Sequence, residues 1–105
     1  MQRSYFSSSI PEFCSSDENT VLGELASSEQ IFDITPKTTF AWREEISIMK
    51  SALNSFEGHI HFEFVIPRMG KRVDVVLVIN NVIFLIEFKV GSDSYDASAI
   101  TQLLE

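Results

Sequence analysis

The chain has 105 residues, enough for one small domain with a modest core. Its net charge of −7 argues against nonspecific affinity for polyanions, and its single cysteine, Cys14, excludes an internal disulfide and fits a reducing compartment. No apolar run reaches the roughly 18–20 residues of a membrane span, and the N-terminus lacks the apolar core of a signal peptide, so the expectation is a cytoplasmic protein with no membrane partner.

Residues 1–20 are Ser-rich, contain Pro11 and carry little pattern; they read as a loosely held arm with Ile10 and Phe13 tucked in. Asp17 or Asn19 is placed to cap a short helix through Val21-Leu-Gly-Glu-Leu-Ala. Residues 27–37 read as a connection, with Pro36 as a breaker. The expected organisation is thus an arm with a short helix over 1–38 and a folded core over 39–105.

The first strongly periodic segment runs from about Thr39 to Glu57. Trp42, Ile46, Met49, Leu53 and Phe56 recur at helical spacing and form one apolar stripe. Thr38 or Thr39 can cap its start, Glu44 and Glu45 sit where the helix dipole favours acids, and Gly58 supplies a stop. Glu45 borders the stripe, whereas Glu44 lies on a flank.

A half-buried strand follows over His59–Pro67, in which Ile60, Phe62, Phe64 and Ile66 alternate with His59, His61, Glu63 and Val65. His59, His61 and Glu63 would share one strand face, where two neighbours could reach a zinc ion. With no Cys or third His to complete such a site, an exposed strand face is the expectation.

Two strands, about 72–79 and 82–90, then flank Asn80-Asn81. Both Asn residues tolerate positive φ, which suits a two-residue type I′ hairpin turn. If Ile79 pairs with Val82, Asp74 lies opposite Glu87, and Lys89 falls on the same face as Glu87. Two carboxylates about 5 Å apart at Cβ repel. A divalent cation would resolve the conflict; the alternative is a structural ion-pair cluster in which Lys89 offsets both acids. Arg68, Lys71 and Arg72 precede Asp74 and form either a phosphate-binding strip or a set of solvated loop charges. Both faces of the hairpin are apolar, so its strands should be central and covered on both sides.

Gly91-Ser-Asp-Ser94 turns the chain into a final predicted helix from about Tyr95, with Asp93 or Ser94 as cap and Ile100, Leu103 and Leu104 as its apolar face. The helix is still in pattern at Glu105, so a following segment is expected. Leu103 and Leu104 then call for cover, either by that missing C-terminal segment or by a second copy in a homodimer.

The order helix, three strands, helix, with Asp74, twelve intervening residues and then Glu87-Phe88-Lys89, resembles the core of the PD-(D/E)XK (restriction-endonuclease-like) nuclease superfamily. Ile66-Pro-Arg-Met-Gly-Lys-Arg-Val-Asp74 is similar to nuclease-like domains found N-terminal to helicase-type ATPases. The resemblance covers roughly residues 39–105. Val73 stands where the family name has Pro, and the strand expected after the second helix is absent.

The resemblance implies an α/β fold and a Mg²⁺- or Mn²⁺-dependent nuclease acting on DNA or RNA. It places such a domain in a larger nucleic-acid-processing protein, with roles in DNA repair or defence. It implies Asp74 and Glu87 as metal ligands, with the Phe88 carbonyl and Glu45 as further ones. Lys89 would orient water or neutralise the phosphate, Gln102 would position water or a substrate oxygen, and Arg68, Lys71 and Arg72 would contact backbone phosphates. The alternative is a non-catalytic nucleic-acid-binding or scaffolding module beside a helicase-like motor. A third reading, a small interaction domain sharing only the hairpin pattern, predicts no metal affinity.

Overall fold

The computed structural model describes residues 3–28, 39–66, 68, 70–90 and 95–104, with the backbone alone for Val90 and 95–104. Its elements in chain order are β1 (Ser4–Ser9), α1 (Ile10–Ser15), α2 (Glu18–Ser28), α3 (Thr39–Ala52), β2 (His59–Ile66), β3 (Lys71–Ile79), β4 (Val82–Val90) and β5 (Tyr95–Leu104). The strands form one antiparallel sheet in the order β1-β2-β3-β4-β5. This is a mixed α/β architecture in which the helices and the sheet share one core.

The hairpin forms as its turn residues dictate. Asn80 and Asn81 take φ of 52° and 65°, and the β3–β4 ladder runs from Ile79↔Val82 to Val75↔Ile86. Val75, Leu77 and Phe88 enter the core, with Ile79, Phe84 and Ile86 packed against it.

Trp42, Ile46 and Met49 of α3, with Leu53 just past its end, pack on this sheet face. The helix ends at Ala52, earlier than Gly58, because Asn54 and Ser55 are weak helix formers and the chain there closes a turn, with Phe56 N–H donating to Leu53 O at 3.1 Å. Phe56 is left 49% exposed. Gly58 has φ +144°, and a Cβ there would lie 2.2 Å from the Val78 carbonyl oxygen. The position therefore requires glycine. Its carbonyl accepts from Ile10 N–H at 2.9 Å, which ties the start of α1 to the start of β2.

The N-terminal segment is not a loose arm. β1 pairs along β2 from Ser4↔Phe64 to Ser9↔His59, and Tyr5, Phe6, Ile10, Phe13, Val21 and Leu25 belong to the same core as α3. The Ser-rich composition concealed this strand because its apolar content sits in two adjacent residues, Tyr5 and Phe6. Ser9 caps α1 by accepting from Glu12 N–H at 3.2 Å, and Asp17 caps α2 by accepting from Asn19 N–H at 3.0 Å. Lys50 of α3 closes the other end of α1, donating to the carbonyls of Phe13, Cys14 and Ser16 at 2.6, 3.3 and 2.5 Å.

The last element differs from the expected second helix: Tyr95–Leu104 is strand β5, so the sheet has a strand where a helix was predicted. It pairs with β4 from Val90↔Tyr95 to Val82↔Leu104, with a register shift between Leu85 and Ile86 that leaves Ile100 as the extra residue. The physical reason is the edge. Without β5, a nine-residue apolar strand would expose its backbone donors and acceptors, and pairing it outweighs a three-residue helical stripe. The caps proposed at Thr38 and at Asp93 or Ser94 lie outside the described residues, as do Pro67 and Met69. Among the described residues no helix is long and apolar enough to cross a membrane.

Candidate metal centre

A fault in strand alternation builds this site. In a regular strand, neighbours point to opposite faces. Here Tyr5 and Phe6 both enter the core; so do Phe62 and Glu63; and Asp74 and Val75 both reach the helix-covered side. The registers of β1–β2 and β2–β3 place these three pairs in one transverse row. The fault is visible in the backbone at Glu63, a non-glycine residue with φ 55°.

Its effect is to bring acids toward α3. Glu45 of α3, Glu63 of β2 and Asp74 of β3 offer carboxylate oxygens that all lie within 4.8 Å of one another. Glu45 and Glu63 are completely buried. Asp74 Oδ2 accepts from the backbone N–H of Phe88 at 2.8 Å. By the hairpin register Phe88 would face Val73, so the Asp74 side chain takes a donor that an undisturbed ladder would use.

Glu63 is held from both sides. Trp42 Nε1–H donates to its Oε2 at 2.9 Å, and Arg72 Nε lies 2.7 Å from its Oε1. Arg72 also donates to the Tyr5 hydroxyl at 2.8 Å and sits over the Tyr5 ring at 5.3 Å, while Tyr5 meets Trp42 edge-on at 6.3 Å. Three carboxylates and one guanidinium leave the cluster two negative charges in formal terms. An all-oxygen, carboxylate-rich donor set with that residual charge suits Mg²⁺ or Mn²⁺ rather than a soft metal.

The expected site residues divide. Glu45 and Asp74 come together. Glu87 does not join them: Ile86 and Phe88 pack inward, so its side chain projects from the other face, where it lies 3.6 Å from Lys71 Nζ. Lys89 is exposed, as are Arg68 and Lys71. Arg72 is not part of an exposed strip; its side chain is 11% exposed and engaged by Glu63. Phe88 contributes its N–H to Asp74. Gln102 lies on β5 opposite Phe84, not on a helix.

Glu63, Trp42, Tyr5 and Arg72 are the members that strand periodicity misassigned or passed over. Alternation puts Glu63 beside His59 and His61, and nothing in the local sequence announces a glutamate with positive φ. The three-ligand strand face is therefore absent. His61 instead hydrogen-bonds Ser7 Oγ through Nδ1 at 2.7 Å, with its pKa lowered by burial and secondarily by His59.

No protein-family model matches the chain, and neither a curated protein nor a solved structure matches it significantly.

Proposed function

We propose that this chain is a Mg²⁺- or Mn²⁺-dependent nuclease domain of the PD-(D/E)XK type, hydrolysing phosphodiester bonds of DNA or RNA within a larger nucleic-acid-processing protein. The observation that carries the reading is the convergence of Glu45, Glu63 and Asp74 from a helix and two strands on one point. The order of a helix followed by a three-stranded meander, α3-β2-β3-β4, supports it as well.

Glu45 and Asp74 are the primary ligands in this reading, with Glu63 shared between the cation and Arg72. A divalent cation bound there would supply a nucleophilic water at neutral pH and stabilise the negative charge that develops on the phosphate. The Phe88 N–H holds the Asp74 carboxylate in place, which fixes one ligand before substrate arrives. Arg72 supplies positive charge at the carboxylates through Glu63, whereas the resemblance has Lys89 orient water or neutralise the phosphate. Arg68 is exposed and available to backbone phosphates, whereas Lys71 is engaged by Glu87 on the other face.

A second reading is favoured by one specific feature. Glu63 already has two polar partners and Glu87 has Lys71, as expected if these acids form a structural ion network in a non-catalytic nucleic-acid-binding or scaffolding module.

The two readings separate in a cleavage assay with labelled single- and double-stranded DNA and RNA, with and without Mn²⁺. The nuclease reading expects metal-dependent cleavage that falls by at least about a hundredfold in Asp74→Asn. Binding without cleavage in any of these conditions would favour the module instead. Lys89→Ala in the same assay measures what the exposed lysine contributes.

A further inference from the structure

No further inference is drawn: the strongest candidate, the apolar groove of about 390 Å³ between the C-terminal half of α3 and the β3–β4 hairpin, lined by Met49, Leu53, Phe56, Leu77, Phe84 and Ile86 among others, carries nothing because nothing in the structure shows what covers it.

Discussion

At the scale of single residues, Glu63 and Arg72 set the character of the site. A fully buried carboxylate is costly unless it is paired and hydrogen-bonded, and here the pair is supplied by a guanidinium only two residues before Asp74. Removing one partner of such a pair strands the other charge. Arg72→Gln should therefore lower the stability of the metal-free protein by about 3–5 kcal/mol, read from urea unfolding. Adding Glu63→Gln should restore part of the loss, and a single-variant loss below about 1 kcal/mol would show that Glu63 does not depend on Arg72. His61 offers a separate test on the opposite face. Its pKa lies below the ordinary value of 6.5, so the unfolded chain binds the proton more readily than the folded one. The folded state thus has its full share of stability above 6.5 and loses it as pH falls below that value. His61→Gln should flatten the slope of unfolding free energy against pH on the acid side of 6.5; an unchanged slope would assign it to other groups.

At the scale of elements, the junctions matter as much as the strands. Gly58 sits where α3's exit meets β2, with its missing Cβ facing the Val78 carbonyl at 2.2 Å. Gly58→Ala should cost at least about 3 kcal/mol, combining backbone strain with the displacement of β3, and a near-neutral urea midpoint would mean that the junction can open. The elements also mark what was legible in the sequence. The hairpin register followed from Asn80-Asn81 and two apolar runs. The existence of β2 followed from the alternation of apolar and polar residues from His59 to Phe64, although the fold breaks that alternation at Glu63 and packs Val65 on the core. The stripe of α3 was readable from Trp42 to Leu53 because helix burial repeats at a fixed spacing. β5 was not readable, since Ile100, Leu103 and Leu104 satisfy a helical stripe as well as a strand, and only the open edge of β4 decides between them. Nor was β1, whose two adjacent aromatics break the alternation by which a strand is recognised.

At the scale of the whole molecule, the candidate site depends on cooperation among four elements that local patterns cannot report. Periodicity placed Asp74 with Glu87 and Glu63 with the histidines. The transverse fault across β1, β2 and β3 turns Glu63 and Asp74 instead toward Glu45 of α3. Glu45 was legible as an acid bordering an apolar stripe, and Asp74 as an acid at a hairpin end, but their meeting point with Glu63 belongs to the sheet as a unit. A cation bound between these elements would stabilise the folded state against the unfolded chain, which lacks the assembled ligands. The most direct test is Mn²⁺ titration of the intact chain by electron paramagnetic resonance, with thermal unfolding followed at the same metal concentrations. The account predicts saturable uptake of one Mn²⁺ per chain and a rise in Tm on loading, both abolished in Asp74→Asn while its metal-free far-ultraviolet circular dichroism matches the parent. Absence of uptake, or equal uptake by Asp74→Asn, would contradict it and leave the three acids as a structural network.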